Sequence, residues 1–394
     1  MKLGGAHLTY CTNIHPGETW SEVRANVERY VAAVKAAVSP AESFGVGLRL
    51  SGRAAHELAA PGELAAFRSL LDRHGLYVFT INGFPHGAFH AKPVKAEVYR
   101  PDWLEPERVV YTNVLADLLV ELLPEGVGGS ISTVPGCFRP RATSDAGAVI
   151  AANLTRCTDH LAALEHRTGK HVTLALEPEP CCSIETLAEA VEFFATHRLD
   201  RRYLGVCLDA CHAAVEFEDL EPALDALHTA GIAIAKLQLS AGLRVAPVDD
   251  EQRRWLERWV EPVYLHQVVA RRGDRLVRYV DLPEALAAAR VDVDERSEET
   301  GGGPPTGSAG RGGGAPRGID DEWRVHFHVP IFHGERATQD YLAELLASHR
   351  GRPISTHLEV ETYTWDVLPA RFRERTSIVD AIARELRWVI ERLR

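Results

Sequence analysis

Three short apolar runs in this chain stop abruptly on acids. They are Leu174-Ala-Leu-Glu177-Pro-Glu179-Pro, Leu208-Asp209-Ala-Cys-His212 and, near the end, His357-Leu-Glu359-Val-Glu361-Thr-Tyr. A carboxylate that closes a buried strand must be paired, protonated or bound to a cation, because burying it alone is costly. Several such carboxylates facing one cavity repel one another, and a divalent cation relieves that repulsion. Pro178 stops the strand ladder directly after Glu177.

Asp209 and His212 form an Asp-x-x-His pair that offers oxygen and imidazole together, a donor set suited to Mn, Zn, Fe or Co rather than Ca. The same pair also fits an N-capping aspartate with a packed histidine. Lys236, Gln238 and Ser240 share one face of an apolar run by alternation. Lys236 either lines a barrel mouth or neutralises Glu177 or Asp209 without any metal. Glu359 and Glu361 point the same way, opposite Leu358 and Val360. His326 and His328 share a face with Arg324, which fits a metal, a polar ligand, or a covering hairpin with half-exposed imidazoles. Asn13, His15, Asn82 and His86 fall at or just after two further strand ends, where they either bind a polyhydroxy substrate or cap turns.

The elements that must position these residues alternate in type. Runs at 7–13, 46–51, 77–84, 129–134, 172–177, 203–209 and 232–240 are strand-like, and an eighth comes at 357–363. Helical stretches lie between them, at about 20–37, 64–73, 109–123, 145–168, 184–197 and 220–230. Repeated β-then-α units indicate parallel strands with helical crossovers. The count of eight, with polar residues at many strand ends, favours a closed (β/α)8 TIM barrel over an open doubly wound sheet. Residues 1–394 are expected to form one such α/β domain, with 243–330 as an insertion or lid. Within it, 263–269 and 276–281 read as a β-hairpin, and 296–320, with the Gly-rich stretch 301–318, reads as a disordered loop.

Composition narrows the function. The chain has 394 residues, 45% hydrophobic and 25% charged, with a formal charge of −11. That charge argues against a nucleic-acid binder, which needs a basic face for phosphates. The start lacks the apolar core of a signal peptide, and no run of roughly 18 apolar residues appears. Seven cysteines form no C-x-x-C pair and read as buried thiols in a reducing cytoplasm. There is no phosphate-loop, nucleophile-elbow or H-E-x-x-H pattern.

The assembly resembles the xylose isomerase-like barrel superfamily of sugar isomerases and epimerases. In that pattern Glu177, Asp209, His212 and Glu359 match the strand-end residues around a divalent metal. Gln238 stands where a histidine ligand is usual, and its carbonyl can still ligate a hard ion. More narrowly, the stretches 8–20, 80–87, 326–330 and 359–369 are similar to the EboE-type barrels of bacterial ebo metabolite-traffic clusters. The resemblance implies a metal site of Glu177, Asp209, Gln238 and Glu359 holding Mn, Zn, Mg or Co. It implies Glu177 and Glu359 as proton-exchanging residues and His212 as the group orienting a substrate oxygen. Asn13, His15, Asn82, His86, Lys236, His328 and Glu361 would contact a sugar, cyclitol or lipid-linked metabolite. A homo-oligomer and a membrane-bound pathway partner are compatible with that role, as is a non-catalytic metabolite carrier.

Overall fold

The computed structural model describes residues 1–90, 93–289, 321–374 and 376–394; the Gly-rich stretch expected to be disordered lies outside the described residues. Eight strands form the barrel: β1 (Ala6–Tyr10), β2 (Phe44–Arg49), β3 (Leu76–Asn82), β4 (Gly129–Thr133), β5 (Val172–Leu176), β6 (Leu204–Asp209), β7 (Ile234–Leu239) and β8 (His357–Val360). They pair in parallel in chain order from β2 to β8, and β8 then pairs with β1. Their residues are almost all buried, as expected of strands covered on both faces.

The ring closes between β1 and β2 by a different device. One parallel bridge joins Cys11 to Gly47. Around it the Thr9 hydroxyl donates to Gly45 O (2.7 Å) and accepts from Gly47 N (3.1 Å), while Thr12 Oγ1 accepts from Arg49 N (2.9 Å). Gly47 is required there, because a Cβ would lie 1.8 Å from Glu359 Oε1 and 2.6 Å from Tyr10 O. A glycine thus lets two strands close over a buried carboxylate.

The crossover helices Pro106–Leu122, Ala146–Thr168, Leu187–His197 and Leu220–Thr229 lie within three residues of the expected bounds. The first helix differs. A capping box at Thr19 and Glu22 starts it, and a π turn over Val27–Val31 interrupts the continuous α-helix expected at 20–37. With that turn Val27, Val31 and Val34 are all fully buried.

The insertion after β7 is a second, antiparallel sheet of Leu243–Val245, Glu322–Val325, Val268–Arg272 and Arg275–Tyr279. Its hairpin turns at Gly273 (φ +57°). The first hairpin strand begins at Val268 rather than at 263, because residues 263–266 are held otherwise: Glu261 accepts from the backbone N–H groups of Val263 and Tyr264 and pairs with His266. The sheet starts directly beyond β7, and its last strand runs on toward the barrel, where Val329 N donates to Ala241 O (2.8 Å). That path delivers His326 and His328 to the C-terminal ends of the barrel strands.

The C-terminal helix Ile378–Leu393 ties these parts together through buried Glu385. Its Oε1 accepts from Ile331 N (3.0 Å) and Thr362 Oγ1 (2.7 Å), joining the segment after His328 to the one after Glu361. Burial raises its pKa to about 7. An acid whose folded pKa is raised subtracts stability. Below the unfolded value both states hold the proton; as pH rises toward the folded value only the native state keeps it, and above that the cost is constant. Glu385→Gln is therefore expected to stabilise the protein by up to about 3 kcal/mol near pH ~8 and by almost nothing near pH ~4, read from urea midpoints.

Candidate metal centre and active site

Glu177 follows β5, Asp209 ends β6 and caps the next helix, and His212 lies one turn into that helix. Asp209 Oδ1 accepts from His212 N (2.9 Å) and Ser240 Oγ (2.7 Å), which fixes the carboxylate. Its Oδ2 is buried without a hydrogen-bond partner and lies 3.9 Å from His328 Nε2. Capping and metal ligation, set out as alternatives, are compatible here because different oxygens serve them.

Three histidines share an unusual constraint. His212 Nδ1 faces Pro178 O (2.9 Å), His328 Nδ1 faces Glu361 O (3.0 Å) and His326 Nδ1 faces Gln267 Oε1 (2.8 Å). Gln267 Nε2 donates to Tyr99 Oη and to Pro180 O, which leaves its Oε1 as an acceptor. Carbonyl oxygens only accept, so each imidazole carries its proton on Nδ1. The Nε2 atoms of His212 and His326 then face each other at 3.0 Å. Two lone pairs at that separation repel unless a cation lies between them. Burial, followed by the neighbouring imidazoles, holds the His326 pKa well below its usual value, and burial above all lowers His328 to about 4, so neutral rings are favoured. One ligand atom from each of His212, His326 and His328 falls in a group spanning no more than 4.8 Å, and Glu177, Asp209 and His212 form a second such group. Orienting Nδ1–H bonds to carbonyls are the usual outer support of histidine ligands. The residues therefore fit a divalent transition ion.

Of the sequence candidates, Asn13, Asn82, Glu177, His212, His328 and Glu361 line one cavity. Burial, then Glu361 and Asp209, pushes the Glu177 pKa well up. Glu361 accepts from Asn13 Nδ2 (2.6 Å) and Asn82 Nδ2 (3.0 Å), and burial with the nearby acids raises it to about 8.

The other candidates lie elsewhere. Glu359 is fully buried against Lys236, with Nζ 2.6 Å from Oε2, and neither residue lines the cavity. Burial is the largest single effect and works against the ammonium, yet the Glu359 charge and hydrogen bond together with Cys207 and Cys11 outweigh it and hold the Lys236 pKa above its usual value. Lys236 is thus paired with Glu359 rather than with Glu177 or Asp209. Gln238, the register partner of both Glu359 and Asp209, buries its two amide atoms without partners and does not reach the cavity lining. His15 bonds Tyr10 Oη (3.0 Å) and stacks on Tyr30, and burial lowers its pKa to about 3. His86 packs over Gly52, where a Cβ would meet its ring, and edge-on to Tyr111.

Residues without a role in the sequence reading complete the site. Glu179 accepts from Tyr99 Oη (2.7 Å) and lies 3.8 Å from His326 Nδ1. Tyr99, Gln267 and His326 thus form one hydrogen-bonded chain behind the imidazoles. Its signals were weak: Glu179 sat in view between two prolines, but nothing local marks Gln267. All seven cysteines are buried and free, as expected. No helix of the described residues is long and apolar enough to cross a membrane.

An eight-stranded α/β barrel with acids and imidazoles gathered at its C-terminal strand ends defines the class. The family model described as xylose isomerase-like TIM barrel matches residues 42–282, and the chain belongs to that family. A xylose isomerase-like barrel protein from Mycobacterium smegmatis, solved in complex with magnesium, is similar at 10% identity and TM-score 0.54, covering 100% of this chain and 98% of that one. An L-ribulose 3-epimerase is similar at 14% identity and TM-score 0.49, over 98% and 94% of the two chains. The zinc-bound IOLI protein is similar at 12% identity and TM-score 0.45, over 98% of each. At such identities the likeness speaks for the fold alone. No curated protein sequence matches the chain.

Proposed function

We propose that the protein is a divalent-metal-dependent isomerase or epimerase that acts on a sugar, cyclitol or related polar metabolite, in an ebo-type metabolite-traffic pathway. The observation that carries this reading is the convergence of three Nδ1-protonated imidazoles with Asp209 and Glu177 beside proton-holding acids. His212, His326, His328 and Asp209 would hold the ion, with Glu177 at its edge; the nitrogen-rich set favours Zn, Mn, Co or Fe over Mg. When bound, such an ion polarises adjacent substrate oxygens and acidifies the C–H bond between them.

The chain's own residues do the rest. Glu177 faces the cavity, and with the ion offsetting the burial and acid repulsion that push its pKa up, its carboxylate would take the substrate proton. Glu361, raised to about 8 and cradled by two asparagines, holds a proton at neutral pH and returns it. Glu361 takes the part expected of Glu359, because Lys236 neutralises Glu359 away from the cavity. That pairing also weighs against a non-catalytic carrier, since it leaves Glu177 and Asp209 without a lysine and in need of another cation.

The test is solvent deuterium incorporation into a panel of ketoses, aldoses and cyclitols. Exchange by the metal-loaded protein is expected, and Glu177→Gln is expected to slow it by about 10²–10⁴-fold. Panel members that bind without exchanging would favour the carrier.

A further inference from the structure

The cavity is divided by chemistry, and the division follows the chain. Its floor is polar and comes from strand ends, with Asn82, Glu177, His212 and Glu361 among its residues. Its outer wall comes from two excursions, the segment after β3 and the segment before the inserted hairpin, and includes Phe84, Phe89, Val94, Val98 and Leu265. The two excursions are pinned to each other: Val94 N donates to Val263 O (2.9 Å), and Lys95 Nζ donates to Tyr264 O (2.6 Å) and pairs with Asp281 (2.7 Å). The wall is therefore preformed.

Aromatic rings dominate it. Phe89, Tyr264 and Tyr363 pack on one another as a three-ring cluster with centroids 5.1–5.4 Å apart, and Phe84 stacks on Tyr99. Of the tyrosine hydroxyls at this wall, two are already used within the protein, Tyr99 with Glu179 and Gln267, and Tyr264 with His90, which leaves that of Tyr363. The outer zone thus offers carbon surface with few free polar partners. A ligand hydroxyl placed there would lose its water and find at most the Tyr363 hydroxyl in return.

We infer that the ligand of this cavity is amphipathic: a polar, oxygen-bearing head seated on the strand ends and carrying an aromatic or similarly flat apolar group that packs on the outer apolar wall. This rests on the reading above that the cavity is the substrate site, and it narrows the substrate class from bare polyols to polyols bearing an apolar substituent.

The experiment is calorimetric titration of the metal-loaded protein with a matched pair, glycerol and 1-O-benzylglycerol. The benzyl group is expected to tighten binding by about tenfold or more, from burial of its carbon surface. Val98→Ser and, separately, Phe89→Ala are expected to remove most of that increment; two variants at different points of the wall guard against a folding defect in either one. Equal binding of the pair overturns the inference, and so does an increment that survives both substitutions. The outcome is separable from the isomerase reading. A wall-dependent increment without deuterium exchange in any substrate leaves the amphipathic site standing and removes the isomerase, whereas exchange of bare polyols with no increment does the reverse.

Discussion

Replacing His326 with alanine is expected to weaken binding of a divalent transition ion by about a hundredfold or more, as removal of one of four ligands from a tight site should. The reason lies in the imidazole geometry. His326 Nε2 faces His212 Nε2 at 3.0 Å, and both rings are turned by their Nδ1–H bonds so that only lone pairs meet. A packing role and a ligand role separate cleanly. If His326 only fills space, His326→Ala lowers stability equally with and without metal. If it is a ligand, metal addition stabilises the native protein much more than the variant, because the stabilisation follows the ratio of free metal to its Kd. Gln267→Leu is the milder companion: it frees the His326 ring and is expected to cost about 10–100-fold in metal affinity. Thermal unfolding with and without added zinc measures both.

The largest effect on folding is expected from Lys236. Lys236 and Glu359 are both fully buried with their charges 2.6 Å apart, and Lys236 Nζ also approaches Ser132 Oγ (3.4 Å). Lys236→Met leaves Glu359 charged, buried and unpaired, at a cost of about 3–5 kcal/mol. Removing both charges in Lys236→Met/Glu359→Leu is expected to recover most of that loss, since a buried pair contributes little net stability beside apolar residues of similar volume. A urea-denaturation cycle over the four proteins reads the coupling directly. A loss below about 1 kcal/mol in the single variant, the range of exposed pairs, would mean that the ion pair is not the buried, dry contact described above.

Much of the scaffold was legible because its signals are local. Apolar runs bounded by turn residues marked the barrel strands, and abrupt acidic ends marked Glu177, Asp209 and Glu361. The choice between Glu359 and Glu361 was not legible. Both share a face by alternation, and depth in the barrel depends on how β8 registers against β7, where Lys236 claims Glu359. His326 and His328 were visible as a pair on one face. Their meeting with His212 was not, because it depends on a chain that leaves the barrel after β7 and returns 114 residues downstream of His212. His15 and His86 sat at the right strand ends by sequence, yet a stacked Tyr30 and a bare Gly52 drew their rings away from the cavity.

The central claim is that the strand-end cluster holds one metal ion that the chemistry needs, and elemental analysis of the purified protein paired with the deuterium-exchange assay tests it most directly. About one equivalent of a divalent transition ion is expected, lost on chelation together with exchange and regained on adding zinc, manganese or cobalt. Protein stripped of metal that still exchanges substrate hydrogen at the original rate would contradict it.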